Sequence, residues 1–170
     1  LGKEVATLDL ISNGRFIFGI GAGWCKEETE IMGGNFERRW SQTRESILAM
    51  KELWTQVESE FHGEFYDFPA VYSFPRPVQR PHPPVMLGGN ARNVFKRIVE
   101  YGNGWIPTTS TVEEIRSGRT TLTELADQAG VDPRGFEISA FHQPADPKLI
   151  EDLAANGADR VILELKTASE

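Results

Sequence analysis

Two short glycine-rich stretches are the residues of this sequence best suited to chemistry: Gly19-Ile-Gly21-Ala-Gly23-Trp24 and Leu87-Gly88-Gly89-Asn90-Ala91. Each follows an apolar run that reads as a strand, and the second leads toward a helix. Glycine carries no Cβ, so its backbone N–H groups can come close to a phosphate or a planar ring. In parallel α/β folds the carboxyl ends of the strands are where ligands bind. Gly at a strand-to-helix turn also serves geometry alone, so the turns imply a site without naming its occupant. The GxGxG spacing at 19–23 lacks the second half of a dinucleotide fingerprint, because Trp24-Cys-Lys-Glu-Glu supplies no third glycine.

Few other side chains compete. Cys25 is the single cysteine, which argues against an intrachain disulfide framework and a thiolate-rich metal centre. No local His or Asp would serve it as a base, so it reads as a packed or idle thiol. His62, His82 and His142 lie far apart and lack the paired spacing of a zinc site, so no metal is expected. His82, between Pro81 and Pro83, reads as a rigid loop residue, and His142, after a strand, as structural. Arg39 and Glu45 fall on different faces of a helix, so each should anchor a loop or a neighbouring helix instead of pairing. Trp105 suits a ring pocket or a core equally well. Lys26, Glu27 and Glu28 read as a solvated helix start. No side chain stands out as a general acid or base.

The elements that must position these turns alternate between strand-like runs and helical stripes, the mark of βα units. Expected strands are Phe16–Ile20, Val85–Leu87, Gly104–Ile106, Phe136–Ala140 and Arg160–Leu165. Expected helices cover 39–54, with Trp40, Ile47, Leu48 and Trp54 on its buried stripe, then Ala91–Tyr101, Val112–Ala129 and Pro147–Asn156. A further helix precedes Leu10, with Val5, Ala6 and Leu8 facing inward. Gly102 and Gly157 sit just past helix ends, Asp146-Pro147 supplies a cap and a first-turn proline, and Thr108–Thr111 offer N-caps. Residues 55–84 differ: Phe61–Phe68 alternates about Gly63, and six prolines follow. This is read as a hairpin-bearing, proline-rich insertion in a single domain spanning 1–170.

With 170 residues, 39% hydrophobic and 25% charged, the chain is long enough for a real core. Its net charge of -7, with no basic cluster, excludes nucleic acid as a partner. No apolar run reaches the ~18 residues a membrane span needs. The N-terminal residues lack the basic-then-apolar layout of a signal peptide, so a cytoplasmic protein is expected.

The order of several motifs resembles the luciferase-like monooxygenase superfamily, especially its F-420-dependent oxidoreductases. They are Val5–Asp9, Ser12–Phe16, Gly19–Trp24, Arg39 with Glu45, Leu53-Trp54, Phe61–Tyr66, Pro75–Gln79, Pro81–Pro84, Leu87–Asn90 and Tyr101–Trp105. The resemblance implies an α/β fold of the (β/α)8 TIM-barrel type that binds FMN or coenzyme F-420 at the carboxyl ends of its strands. Since such a barrel takes about 250 residues, this chain is expected to hold about five of the eight strands, as a C-terminal part. By the same resemblance Gly21, Ala22, Gly23 and Glu27 lie beside the cofactor ring, and Gly88, Gly89, Asn90 and Arg92 hold its phosphate. Trp24 stands where sugar-phosphate dehydrogenase relatives carry a catalytic glutamate, which argues against that reaction. The implied activity is an oxidoreductase or monooxygenase that moves hydride to or from a small organic substrate, in a homo-oligomer. The alternatives are a non-catalytic truncated barrel that binds a flavin or a partner chain, and a phosphate-binding barrel isomerase or lyase.

Overall fold

The computed structural model describes residues 1–165. They form two compact units, Leu1–Pro84 and the part from Val85 onward.

The first unit runs α1 (Gly2–Ile11), β1 (Phe18–Ile20), α2 (Lys26–Ile31), α3 (Arg39–Thr55) and a hairpin of β2 (Ser59–His62) and β3 (Asp67–Val71). α3 has no internal Gly or Pro, and it buries Ile47, Met50 and Trp54 at helical spacing together with Ala49. Trp40 and Leu48, expected on that stripe, are only half-buried. Trp54 meets the Phe18 ring edge-on at 6.2 Å, and its Nε1–H donates to Gly2 O at 2.9 Å, so one indole ties α1, β1 and α3 together. Truncating such a side chain costs about 3–5 kcal/mol.

α1 does not bury the face its apolar pattern predicts. Val5 and Ala6 are inside, but Leu8 is 49% exposed and Asp9 is fully buried. The Asp9 carboxylate accepts the N–H groups of Val78 at 2.7 Å and Gln79 at 2.9 Å, and the Gln79 side-chain amide at 2.6 Å. A carboxylate tolerates burial when donors replace its water, and these three donors turn Asp9 inward and Leu8 outward. Gln79 also donates to Phe16 O at 2.7 Å. The expected hairpin pairs Phe61 with Phe68, whose rings stack at 6.2 Å, and no regular element occurs between Val71 and Val85.

The second unit alternates β4 (Val85–Gly88), α4 (Val94–Tyr101), β5 (Gly104–Ile106), α5 (Val112–Ala129), β6 (Glu137–Gln143), α6 (Pro147–Ala155) and β7 (Arg160–Leu163). The four strands pair in chain order and all run parallel, with Met86 opposite Gly104, Gly104 opposite Glu137 and Ala140 opposite Val161. Val85, Met86 and Leu87 are each 0% exposed, as expected of a strand covered on both faces. With β1, the five expected strands are present.

The helix ends explain themselves. Thr111 and Glu114 form a reciprocal capping box at the start of α5, and Gly130 closes it at φ 69°. Asp146 accepts Lys148 N–H at 2.9 Å ahead of Pro147. Gly157, at φ 105°, follows α6 in the left-handed region. Gly102 is a glycine for another reason: its φ is −101°, but a Cβ there would lie 3.0 Å from Ile98 Cα. Arg119 of α5 ties the later strands, donating to Gly157 O and to Phe136 O at 2.8 Å and pairing with Asp159, which accepts Ile138 N–H at 2.7 Å.

Candidate functional site

Each glycine turn is pinned from outside itself. In the first unit, the chain leaves β1 through Gly21 and Ala22 to Gly23, whose φ of 80° favours glycine. A Cβ on Gly21 would meet no atom within 4 Å, so the space above this backbone is open. Arg39, the first residue of α3, lies over the Phe36 ring at 3.6 Å, donates to Phe36 O at 2.7 Å and reaches Gly23 O at 3.2 Å. Trp24, next to it, is 88% exposed. Glu27 lies in the first turn of α2, and its carboxylate is 3.5 Å from Cys25 Sγ. Cys25 therefore has a neighbouring acid that a search for a local His or Asp overlooks.

A pocket of about 190 Å³ beside this turn is lined by Gly21, Ala22, Arg39, Gln42, Ser46 and Tyr66, among others. Tyr66 is held by Glu45, whose Oε1 accepts the N–H groups of Phe65 at 2.6 Å and Tyr66 at 2.7 Å. Gly63 is required here, since a Cβ would sit 2.2 Å from that same oxygen. Arg39 and Glu45 thus anchor separate loops, as their six-residue separation predicts.

In the second unit, Gly88 ends β4 and Gly89 adopts φ 94°. Gly89 N–H donates to Ile106 O at 3.0 Å, and Trp105 Nε1–H donates to Gly89 O at 2.8 Å. Asn90 locks the turn to the loop after β5: its Oδ1 accepts Thr108 N–H at 3.0 Å, and its Nδ2 donates to Thr109 Oγ1 at 3.1 Å. A Cβ on Gly89 would again meet nothing within 4 Å.

The turn does not open directly onto a helix, as the sequence suggests. α4 starts at Val94 and not at Ala91, after a turn at Arg92-Asn93, and the Asn93 side chain makes no cap bond. Val94 N–H instead donates to Ala91 O at 2.8 Å. The groups open to an anion are consequently loop amides: among the described residues, no backbone hydrogen bond engages the N–H groups of Asn90, Ala91 or Arg92. All three residues are exposed, and they border a pocket of about 400 Å³ with Phe95, Trp105 and Gly118. Trp105 lies within β5, packs edge-on to Phe95 at 4.8 Å and needs Gly118, where a Cβ would fall 2.3 Å from its ring. It is a core aromatic whose polar edge steadies the glycine turn.

The histidines have structural settings. His82 contacts Pro83 O at 2.8 Å and Trp54 at 5.9 Å between centroids, and burial holds its pKa below the ordinary value. His142 lies inside β6 and not after it, exposed at φ 57°, 3.6 Å from Glu164. His62 pairs with Asp67 at 2.6 Å, which raises its pKa. Among the described residues no cluster of His, Cys, Asp and Glu could hold a metal ion, and no helix is long and apolar enough to cross a membrane.

The parallel βα units with glycine turns after β1 and β4 define an α/β protein of the TIM-barrel type, here part of a barrel. Residues 1–146 match the model of the luciferase-like monooxygenases, and the chain belongs to that family. An uncharacterised protein of Mycobacterium tuberculosis is 43% identical over 88% of this chain and 52% of its own length. The FMNH2-dependent dimethylsulfone monooxygenase of Pseudomonas putida is 34% identical over 68% of this chain and 34% of its own. For the F420-dependent glucose-6-phosphate dehydrogenase of Amycolatopsis mediterranei the figures are 32%, 68% and 35%. Among solved structures, an F420-dependent secondary alcohol dehydrogenase superposes with a TM-score of 0.77 at 17% identity, over 95% of this chain and 67% of that one. The chain thus spans about half or less of the length of these curated relatives.

Proposed function

We propose that this chain is the coenzyme-holding part of a luciferase-like oxidoreductase that uses reduced FMN or coenzyme F-420 to act on a small organic substrate. The observation that carries the reading is the Gly88–Arg92 turn. Its glycine has open space where a Cβ would sit, its position is fixed by Asn90 and Trp105, and its next three amides have no protein acceptor. Free N–H groups beside an arginine suit a phosphate group, which FMN carries as a monoester and F-420 as a diester.

The bound coenzyme supplies the hydride chemistry. The chain binds and orients. Asn90, Ala91 and Arg92 present amides to the phosphate, and the Arg92 guanidinium neutralises it. Gly21, Ala22 and Gly23 offer a flat backbone to a planar ring, with Arg39 fixing the Gly23 carbonyl. The exposed Trp24 indole and the Glu27 carboxylate border that turn, where the indole shields a bound ring from water and the carboxylate contributes a polar contact.

Titrating FMN, reduced FMN and F-420 into the purified protein while recording the visible spectrum tests the reading. A saturable band shift for at least one, weakened in R92Q, is expected. No shift with any of the three, or retention of a sugar phosphate with none of them bound, would favour the phosphate-binding isomerase or lyase alternative.

A further inference from the structure

At the far end of α3 the first unit carries a second concentration of cationic groups that the coenzyme reading does not use. Trp54, Thr55, Arg76, Arg80 and Pro81 line a pocket of about 210 Å³ that contains two guanidinium groups and no carboxylate. Among the described residues neither arginine makes an ion pair. Their hydrogen bonds go to backbone carbonyls: Arg76 donates to Gln56 O, and Arg80 donates to Pro77 O and, at 3.4 Å, Gln79 O, while Arg76 also lies over the Phe74 ring at 5.9 Å. Each guanidinium has five N–H donors, so most of this capacity is unspent. Arg76 Nε is shielded from solvent and has no partner at all. Lys51, also without a carboxylate partner among the described residues, is close enough for its charge to act on His82, which packs on Trp54.

Like charges gathered in one pocket repel, and a chain of net charge -7 has ample carboxylates with which to pair them. The arginines are also held in place. Asp9 fixes the backbone at Val78 and Gln79 between them, and prolines at 75, 77 and 81 stiffen the same segment. Two guanidinium groups on a rigid loop, with spare donors around a small concavity, form a pre-organised receptor for an oxyanion. The pocket is also separate from the Gly21–Gly23 turn: Arg39 at one end of α3 reaches Gly23, Thr55 at the other lines this pocket, and 16 helical steps span ~24 Å.

We infer that Arg76 and Arg80 form a second anion site that takes a small phosphate-class ligand, either inorganic phosphate or a phosphate monoester. Both sources present the same oxygens to the guanidinium forks.

The test follows the Trp54 indole N–H resonance of the full 170-residue chain during titration, at fixed ionic strength, with inorganic phosphate and separately with glycerol phosphate. The expected result is a saturable shift with at least one, whose half-point moves up by about tenfold or more in R80Q and stays in place in R92Q, at the proposed coenzyme turn. If phosphate alone acts, the ligand is the free ion; if the ester alone acts, a monoester. R80K, which keeps the charge but not the fork, should bind with intermediate strength. No saturable response to either ligand would overturn the inference, as would an undiminished response in a folded R80Q, or loss of the response in R92Q. R80Q leaves the Arg76–Gln56 contact intact but removes the Arg80 bonds to Pro77 O and Gln79 O, so R80K, which keeps a donor there, separates loss of the anion site from loss of the fold.

Discussion

Asn90 and Thr108 join the two loops that follow β4 and β5: one side-chain oxygen accepts the other's backbone N–H at 3.0 Å, with Thr108 Oγ1 at 3.3 Å from the same oxygen. The nominal phosphate-binding asparagine thus spends its side chain on holding a neighbouring loop, and its backbone amide is left without an acceptor among the described residues.

The substitution N90A should therefore act twice. It leaves Thr108 N–H without an acceptor at an exposed site, costing about 1 kcal/mol of stability. It also frees the glycine turn, so affinity for FMN or F-420 should fall by about tenfold, since positioning a donor accounts for ~1.4 kcal/mol. Chemical denaturation and coenzyme titration of one preparation separate the two effects. N90D keeps the Oδ1 acceptor and should restore the stability but not all of the affinity, because its charge repels phosphate.

At Gly89 the backbone itself is the constraint. Its φ of 94° lies where L-residues are strained, although a Cβ would meet no atom. G89A should cost about 1–2 kcal/mol. Its folded fraction should bind coenzyme more weakly, because the methyl group enters the space proposed for the phosphate. An alanine variant of unchanged stability and unchanged affinity would remove Gly89 from the site.

Removing the carboxylate in D9A should be more damaging than either N90A or G89A. It strands three donors, the N–H groups of Val78 and Gln79 and the Gln79 amide, inside the unit. A loss of about 3 kcal/mol or more is expected, read from the shift in urea midpoint.

Two histidines should give opposite pH dependences. The His62 pKa is raised, by its hydrogen bond to Asp67 above all, so its contribution is complete below the unfolded value of about 6.5 and fades as pH rises through the folded pKa. The His82 pKa is lowered, chiefly by burial, so acidification below about 6.5 favours the unfolded chain until the folded pKa is passed. Thermal melts from pH 5 to 8 should show H82Q losing stability less than the parent on the acid side. D67N should lose the His62 contribution on the acid side and change little at pH 8.

Much of this was legible in the residues themselves. The five strands, the capping box at Thr111, the Asp146-Pro147 helix start and the hairpin about Gly63 all rest on neighbours a few positions apart, where spacing carries the information. What escaped depends on partners far along the chain. The apolar pattern of α1 turns Leu8 inward and is silent on Asp9, whose donors are some 70 residues away. The Arg39 contact to Gly23 and the Asn90 contact to Thr108 span 16 and 18 residues, so no local period discloses them. Ala91-Arg92-Asn93 suits a helix by composition, yet it forms a turn that closes on Ala91 O, so α4 starts at Val94. Gly102 sits just past the end of α4 as its place in the sequence predicts, but the crowding by Ile98 that demands glycine there is a tertiary fact.

Backbone amide hydrogen exchange, with and without saturating FMN or F-420, tests the central claim most directly. Residues 21–23 and 88–92 should exchange more slowly in the presence of one of the coenzymes, with the effect at 88–92 absent in R92Q. Unchanged exchange in both segments while either coenzyme is demonstrably bound, or protection confined to other parts of the chain, would contradict the account.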